Sequence, residues 1–247
     1  MPPRADRLFI RYEMFFTTPF HMGTGLRRGL VHRAVSRDRD GSLFIPGSTV
    51  KGNARERSEQ IARLFGLETR EPHVEGADLT GFSSSIQIVD TIFGSRTYPG
   101  TLWFDDAQLC EEDQALFEAP SPDLSTRYSE FQVEPRTRVS MSRLTGTARS
   151  GQLFASEYGI AGLRFHGLIR GVLNGAPLPD ERANASYTLL LLLAGLLSVD
   201  RLGSNRSAGA GGCHTAILEL RVNSQEQSVE SLLGYISDLE YYALAGS

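Results

Sequence analysis

The sequence of 247 residues predicts an α+β fold, and three observations support this prediction. Four stretches, beginning at Leu8, Thr101, Leu163 and Thr215, have the short apolar or alternating composition of β-strands. Helices are predicted after the first and the third of these strands, and no short repeat or low-complexity linker divides the chain. The order strand, helix, strand, strand, helix, strand is the βαββαβ pattern of a modified RRM-like or ferredoxin-like core with inserted loops. We therefore predict one domain over residues 1–247.

The first strand is predicted at residues 8–17, where apolar and charged side chains alternate, so one face should be buried. That face carries Leu8, Ile10, Tyr12, Met14 and Phe16. Residues 20–29 are rich in glycine and basic side chains and are expected to form a loop. Residues 31–36 and 42–45 are expected to pair as short strands across a turn at 38–41.

The first helix is predicted to begin after Pro46 and Gly47, which turn the chain. Ser48 or Thr49 is expected to cap this helix, which should end near Gly66. Three of its apolar residues are expected to face the core: Ile61, Leu64 and Phe65.

The start of this helix is a candidate phosphate site. Free backbone N–H groups and the positive end of the helix dipole favour anions there. Lys51 and Arg55 lie four residues apart on one helix face, and Lys51 is the only lysine among the 25 Lys and Arg residues. A capped surface helix with solvated charges would show the same pattern, so this stretch alone leaves both interpretations open.

Two segments are predicted to lie outside the core. Residues 66–92 are polar and irregular and are interpreted as an inserted loop before the strand at 101–109. Residues 111–136 begin with acidic side chains and contain three prolines, so we predict a thumb-like arm. Tyr128 and Phe131 in this arm are candidates for wedging between bases, although packing of the arm on the body explains each equally well.

The last third of the chain completes the pattern. We predict a strand at 163–170, an apolar helix at 187–199 preceded by Asp180 and Glu181, a strand at 215–222 and a closing helix at 229–244. The apolar helix is too short to cross a bilayer and is interpreted as buried. A second basic cluster precedes these elements and consists of Arg136, Arg138, Arg143 and Arg149.

Charge and cysteine content limit the possible functions. Residues 1–57 carry 11 Lys or Arg against 5 Asp or Glu, whereas residues 58–247 carry 14 against 24. Such a basic quarter predicts a localised surface for a polyanion, although an unevenly distributed but salt-bridged surface would give the same counts. Cys110 and Cys213 form no CxxC pair, so a zinc site is not expected. Few cysteines and the lack of a signal peptide predict a cytoplasmic protein with no membrane partner.

A glycine-rich turn at 203–211 follows a predicted helix and precedes a strand. Dinucleotide-binding loops have the reverse order, so a Rossmann interpretation fails. The glycines would let the backbone come close to a ligand or to another helix, and a simple flexible connection is the alternative.

Five segments, taken together, are more specific than any one of them. Residues 18–23 read TPFHMG, 45–55 read IPGSTVKGNAR, 93–109 contain FG followed by LWFDDAQL, 139–148 read VSMSRLTGTA, and 203–211 read GSNRSAGAG. In the same order they resemble the "TPLHIG", "IPGSSLKGxxR", "FG…G.l.f.DA.l", "xxIDRxTGxA" and "GGxRSxGxG" segments of the CRISPR-associated RAMP superfamily. Ser142 and Ser204 depart from this pattern, at an aspartate and a glycine respectively.

Within that superfamily the chain is most similar to the backbone subunit of type III effector complexes. The resemblance implies an RRM-like subunit that polymerises along a guide RNA (crRNA), holds its phosphates and sugars, and distorts the guide–target duplex with a thumb. The implied partners are crRNA, target RNA and other effector subunits, including further RAMP subunits, with no cofactor needed for RNA binding. The residues predicted to bind RNA are His21, Ser48, Lys51, Arg55, Arg138, Arg143, Gly203, Arg206, Gly209 and Gly211.

The resemblance also bears on catalysis. Cleaving relatives carry a catalytic aspartate in a pattern like "IDxPVIRDP", and aligning Arg37 and Asp38 with its "RD" places His32 at that aspartate. Because Mg²⁺ prefers oxygen ligands, we expect this chain to hold RNA without cutting it, and Mg²⁺ would be required only for cleavage. His32 as a general base and Asp38 remain the catalytic candidates.

Three alternatives accompany this hypothesis. The chain could be a metal-dependent endoribonuclease subunit that cleaves target RNA, a guide-processing nuclease of the same superfamily, or a noncatalytic protein that binds only other proteins. A serine hydrolase has no support, because no G-x-S-x-G segment is present. Asp105 and Asp106 are adjacent on a predicted strand and would face opposite ways, which makes them a poor catalytic pair.

Overall fold

An antiparallel sheet, with seven strands among the described residues, carries the core of this protein in the computed structural model. The structure describes residues 4–25, 33–69, 87–96, 98–118, 131–180 and 183–245. The strands are β1 Arg4–Phe16, β2 Phe44–Ile45, β3 Leu102–Phe104, β4 Ala107–Leu109, β5 Val133–Met141, β6 Ala148–Gly159, β7 Arg164–Gly175, β8 Cys213–Val222 and β9 Gln225–Glu226. The helices are α1 Gly47–Leu64, α2 Ile88–Phe93, α3 Glu111–Glu118, α4 Tyr187–Leu197, α5 Val229–Leu233 and α6 Leu239–Ala245.

Four strands of the sheet reproduce the predicted core. They lie side by side in the order β4, β7, β1, β8, each antiparallel to its neighbour. In a βαββαβ chain these are the second, third, first and fourth strands, which is the ferredoxin-like arrangement, so the predicted α+β fold is confirmed. The predicted buried face of the first strand is also confirmed, and it consists of Leu8, Ile10, Tyr12, Met14 and Phe16.

Helices α1 and α4 pack together and belong to the same hydrophobic core as the buried face of β1. They approach closely because Gly195 of α4 faces Ser58 of α1, where a β-carbon would collide with the Ser58 side chain. The Ser58 hydroxyl donates a hydrogen bond to the Leu191 carbonyl oxygen at 3.3 Å. The other face of β1 carries Arg7, Phe9 and Arg11, which are exposed or half-buried. None of the described helices has both the length and the apolar composition that crossing a bilayer requires.

The predicted N-terminal cap of the first helix is wrong, whereas its predicted end near Gly66 agrees with the structure. Helix α1 already begins at Gly47, and neither Ser48 nor Thr49 caps it. Asp106 takes this role from a distant part of the sequence, because its Oδ1 accepts the Gly47 N–H at 2.8 Å. Helix α4 is capped by Ser186, whose hydroxyl oxygen accepts the Leu189 N–H.

Several predicted elements also differ in extent. The strand predicted at 101–109 is divided into β3 and β4 by Asp105 and Asp106. The closing helix is divided into α5, a 3-10 turn and α6. The predicted pairing of residues 31–36 with 42–45 is reduced to a single bridge between Arg37 and Leu43, and strand β2 pairs with β4 instead. Residues 26–32 lie outside the described part of the chain. Of the three α1 residues predicted to face the core, Ile61 and Phe65 pack against the core, whereas Leu64 is exposed.

The first predicted insertion, residues 66–92, wrongly includes residues of the core at its C-terminal end. Helix α2 begins at Ile88, and five of its six residues are buried. It contributes apolar side chains to the main core, including Ile92 and Phe93. Residues 70–86 lie outside the described part of the chain.

The second predicted insertion, residues 111–136, is attached to the core at both ends. Asp113 of α3 is buried, and its carboxylate accepts hydrogen bonds from the Arg164 backbone N–H at 2.8 Å and the guanidinium at 2.9 Å. Gln132 is also buried, and its Oε1 accepts the Leu43 N–H at 2.8 Å. These ends are therefore part of the body, and residues 119–130 lie outside the described part of the chain.

Candidate nucleic-acid interface

Two of the motif-bearing segments meet where β1 ends. The Gly211 N–H donates to the Pro19 carbonyl oxygen at 2.9 Å, and the Ser204 N–H donates to the His21 carbonyl oxygen at 3.0 Å. The Thr18 hydroxyl oxygen accepts the Gly212 N–H at 2.7 Å. Backbone contacts thus join the glycine-rich turn to the loop after the first strand, although the two are nearly the whole chain apart in sequence.

The glycines of this turn do not share one role. Gly203 and Gly211 have φ values of +89° and +76°, and a β-carbon at either would collide with a carbonyl oxygen, of His21 and Leu202 respectively. These two residues make the close packing possible. Gly209 also has a positive φ, +84°, but no atom of the described residues lies within 4 Å of the place its β-carbon would take, so its backbone is open on this side.

Arg206 connects the glycine-rich turn to α1. Its Nη1 donates to Asn53 Oδ1 at 3.0 Å and lies 3.4 Å from Glu56 Oε2. The Arg206 side chain is still 44% exposed, so it can reach an anion, but Glu56 already offsets part of its charge. These contacts place the third motif-bearing segment, the start of α1, beside the first two.

His21 lies inside this junction, with 3% of its surface exposed. Its Nδ1 is 2.7 Å from the Glu157 carbonyl oxygen. Because a carbonyl can only accept, Nδ1 carries the hydrogen and donates it. The structure therefore gives His21 a supporting position, and its contact with RNA stays a prediction.

Tyr158 of β6 is a residue that the sequence analysis missed. It is fully buried, its hydroxyl oxygen accepts a hydrogen bond from Asn205 Nδ2 at 2.8 Å, and its ring centre lies 5.6 Å from that of His21. The guanidinium carbons of Arg136 and Arg138 lie 4.9 and 5.6 Å from its ring centre. No sequence signal marked it, because Tyr158 joins the junction through contacts with residues that are distant in sequence.

The start of α1 is less free than the sequence suggested. Asp106 accepts the Gly47 N–H, and a β-carbon at Gly47 would collide with the Phe104 carbonyl oxygen. Ser48 is exposed in the first turn. An anion at this end would therefore approach the Ser48 side and would have the Asp106 carboxylate as a neighbour.

Lys51 keeps a charge that no described carboxylate pairs with. The side chain is half-buried, with Nζ 5.8 Å from the centre of the Phe104 ring. Burial, and to a lesser extent the nearby Arg55 charge, hold the pKa of Lys51 below its ordinary value. A phosphate here would be stabilised by this cation and would raise its pKa again.

Arg55, by contrast, is committed to the fold. Its guanidinium pairs with Asp90 of α2 at 3.0 Å and with Glu59 at 2.8 Å, and only 15% of its side chain is exposed. The predicted pair of phosphate ligands is therefore divided: Lys51 is available, whereas Arg55 holds α2 on α1. An RNA-binding role of Arg55 stays a prediction that the structure does not favour.

A hairpin of β5 and β6 carries the second basic cluster. Strands β5 and β6 pair with each other and form a separate two-stranded sheet. A bridge between Gly159 and Phe20 fixes the base of the hairpin beside the glycine-rich turn. Arg138 lies along β5 and Arg143 in the turn at the tip, both exposed. The hairpin also exposes five apolar residues: Val139, Met141, Leu144, Leu153 and Phe154.

The thumb candidates and the catalytic candidates are only partly described. Phe131 is 55% exposed at the base of the hairpin, and Tyr128 and His32 lie outside the described residues. Asp38 Oδ1 accepts the N–H groups of Asp40 at 3.0 Å and Ser42 at 2.9 Å, so it holds a turn. Within the described residues, no group of three or more His, Cys, Asp or Glu side chains is placed to hold a metal.

The fold and this junction define an RRM-like protein with a basic, glycine-rich surface at one end of its sheet. The chain belongs to the RAMP superfamily, whose family model matches residues 15–214. Among solved structures, the chain is similar to one from the "Cryo-EM structure of the Type III-B Cmr-beta bound to cognate target RNA". That similarity has a TM-score of 0.55 at 12% identity and covers 87% of this chain and 97% of the other. No curated protein sequence matches the chain.

Proposed function

We propose that this protein is the guide-RNA-binding backbone subunit of a type III CRISPR effector complex, which holds crRNA and positions target RNA for antiviral defence. The observation that carries the proposal is the meeting of three motif-bearing segments of a RAMP-superfamily chain at one basic junction. Other effector subunits, including further copies of RAMP proteins, are the proposed protein partners.

The chemistry of the junction suits a guide of any sequence. Contacts to phosphate and sugar position a nucleic acid without reading its bases. Lys51 supplies a cation that pairs with no carboxylate of the described residues, Arg206 supplies an exposed cation, and Gly209 supplies an open stretch of backbone. A single strand laid along this surface would be held through its phosphates, with little dependence on sequence.

The hairpin tip is the best candidate for the thumb, in place of the arm at 111–136. Its turn carries Arg143 and Leu144, and Leu144 is 96% exposed. An apolar side chain beside a cation can insert between bases while the cation neutralises a neighbouring phosphate. We therefore assign the duplex-distorting role to residues 141–149.

The decisive experiment uses the complex purified from cells with its endogenous RNA. The double variant Lys51→Gln with Arg206→Gln should lose RNA uniformly across sequences. Its log affinity should depend less steeply on log salt concentration, by about 0.7 of a unit of slope for each lost contact with a single strand. Arg63→Gln, an exposed site at the far end of α1, is the matched control. Unchanged RNA content in the double variant, or a loss confined to certain sequences, would contradict the proposal.

A further inference from the structure

The open face of the sheet carries a row of alternating aromatic and arginine side chains. In the strand register, Trp103 of β3 lies opposite Arg170 of β7, Arg170 lies opposite Phe9 of β1, and Phe9 lies opposite Arg221 of β8. Directly opposite residues on one face of a sheet are close enough for their side chains to touch. The Arg221 guanidinium carbon is 5.4 Å from the centre of the Phe9 ring, so at least this pair is stacked.

A groove of about 630 Å³ runs along this row. Its lining consists of Arg7, Leu8, Phe9, Trp103, Arg170, Gly171, Val172, Arg221 and Ser224. Trp103 is 64% exposed, because no part of the chain that the structure describes covers it, and such exposure is unusual for so large an apolar side chain. The groove thus offers a flat aromatic surface beside several cations.

The charge of the groove is positive. Three of its lining residues are arginines, and none of them is acidic. Arg170 is paired with Asp105 at 3.3 Å, and Arg221 is paired with Glu219. Arg7 makes no ion pair with the described carboxylates, so its charge is available to a ligand.

This groove is separate from the candidate nucleic-acid interface. Arg7 and Phe9 lie near the start of β1, whereas the glycine-rich turn docks beyond its end at Phe16. At about 3.3 Å per strand residue, Arg7 and Phe16 are roughly 30 Å apart. One ligand group cannot contact both places.

We propose that this groove is a second site for single-stranded RNA, in which a base stacks on Trp103 and the adjoining phosphates contact Arg7 and Arg221. The exposed groups that surround the tryptophan are largely planar, and a base can stack on an indole or on a guanidinium plane. An acidic peptide would satisfy the arginines but would leave the open indole face without a flat partner. The site does not depend on the role proposed above for Lys51 and the hairpin.

The chain contains a single tryptophan, so tryptophan emission, excited selectively over that of the eight tyrosines, reports on this groove. Titration of the full-length protein with a four-nucleotide oligouridylate should quench Trp103 emission in a saturable way. For two neutralised phosphates, affinity should fall roughly sevenfold between 50 and 200 mM salt. Arg7→Gln should weaken binding and reduce that dependence, and Trp103→Leu, followed with a dye-labelled oligonucleotide, should weaken binding about tenfold or more.

Two control variants separate this site from its surroundings. Arg11→Gln removes the same charge from the same face of β1, but Arg11 lies outside the groove lining and 3.8 Å from Glu219. Lys51→Gln removes a cation of the guide interface. In both variants the short oligonucleotide should quench Trp103 emission with the same midpoint as in the unmodified protein, even where Lys51→Gln weakens RNA binding at the guide interface. Failure of the groove and failure of the guide interface are therefore distinguishable.

Three outcomes would overturn the proposal. The first is absence of quenching, or quenching that Arg7→Gln leaves unchanged. The second is equal quenching by inorganic triphosphate, which would mean a phosphate site without base stacking. The third is stronger quenching by a short polyglutamate peptide, which would make the groove a docking surface for an acidic protein.

Discussion

Lys51 and Arg55 show how two cations on the same helix face acquire different roles. Asp90 and Glu59 surround Arg55, so its charge is already balanced inside the protein. Lys51 lies beside the Phe104 ring without such a partner among the described residues. Asp90 of α2 decides that Arg55 has a structural role, whereas Lys51 stays available for binding. The spacing of the two cations within α1 contains no information about this contact with α2.

We predict that Lys51 titrates below the ordinary lysine pKa of about 10.4. Burial disfavours its charged form, and Arg55 adds repulsion, so the pKa should be lowered in the free protein and should rise when RNA phosphate lies close. RNA affinity should accordingly fall as the pH rises through the pKa of the free state. Reductive ¹³C-methylation gives one side-chain signal, because Lys51 is the only lysine, and NMR titration with and without RNA measures both values. A pKa unaffected by RNA would exclude direct contact.

Arg55→Ala should destabilise the fold, because it leaves Asp90 buried without its cation. Breaking such a pair costs about 3 kcal/mol, which urea denaturation can measure. Asp90→Ala and the double variant complete a cycle, and a coupling of about 1–3 kcal/mol is expected. Full stability of Arg55→Ala together with loss of RNA would instead support the original phosphate-binding prediction.

At the scale of elements, helix α3 and the hairpin interrupt the core between β4 and β7. Arg164, the first residue of β7, is held by Asp113 of α3 through both its backbone and its side chain. This attachment makes α3 part of the body. The hairpin, in contrast, is held at its base and exposes its tip.

Asp113 should therefore contribute stability that depends on pH. Burial alone would raise the pKa of this carboxyl, but the hydrogen bonds from Arg164 outweigh it and lower the pKa below its ordinary value. A lowered folded-state pKa gives stability that is present above the unfolded value of about 3.9 and is lost as the pH falls through the folded value. Asp113→Asn should lower the free energy of unfolding at pH 7, and urea titrations towards pH 3 should show this difference shrinking.

The control for this prediction uses the same partner. Glu112 also pairs with Arg164, at 2.8 Å, but its side chain is 76% exposed. Glu112→Gln should have little effect at any pH, since exposed pairs contribute little. Equal losses in the two variants would mean that general charge, and not the buried contact, stabilises α3.

The hairpin tip can be shortened without disturbing its strands. Met141 and Ala148 are paired across the hairpin, so Asn-Gly in place of residues 142–147 should form a two-residue turn between them. Unfolding and guide retention should be unchanged, whereas 2-aminopurine in the target should lose the fluorescence that marks unstacked bases. A loop of natural length with Arg143→Ser and Leu144→Ser should behave like the short one. Persistent unstacking in both would exclude the tip as the thumb.

The features that could be predicted from the sequence are those that depend on residues close together in the chain. The two-residue period of β1 identified its buried face, and the order of elements identified the sheet, because both depend on neighbouring residues. The α1 cap and the junction could not be predicted in this way. Asp106 caps α1, and Tyr158 and Asn205 join two parts of the junction by a hydrogen bond, and in each case the partners are distant in sequence. The hairpin was missed because proline and arginine in β5 obscure its alternation, and its first residues, 133–136, were assigned to the arm at 111–136.

At the scale of the whole molecule, β1 joins two chemically different surfaces. Its end supports the glycine-rich turn and the hairpin base, and its start carries the groove with Trp103 across the sheet. Sequence motifs marked the first surface, whereas Trp103, in the segment 93–109, is the one residue of the groove lining that lies in a motif. The second required the register of four strands, which brings together residues from positions 7 to 224.

Cleavage of target RNA can be measured only in the assembled complex. We predict that the complex holds matched target RNA without cutting it in Mg²⁺ or Mn²⁺. The family resemblance implies that His32 occupies the position of the catalytic aspartate, and imidazole is a poor ligand for Mg²⁺. The Asp38 carboxylate is occupied by two backbone N–H groups of its own turn. Labelled target should therefore stay intact. Regularly spaced cuts that disappear in His32→Ala would contradict this prediction. If cuts instead persist there and vanish in Asp38→Asn, which can keep the turn while removing the charge, the catalytic position is Asp38 and the alignment is shifted.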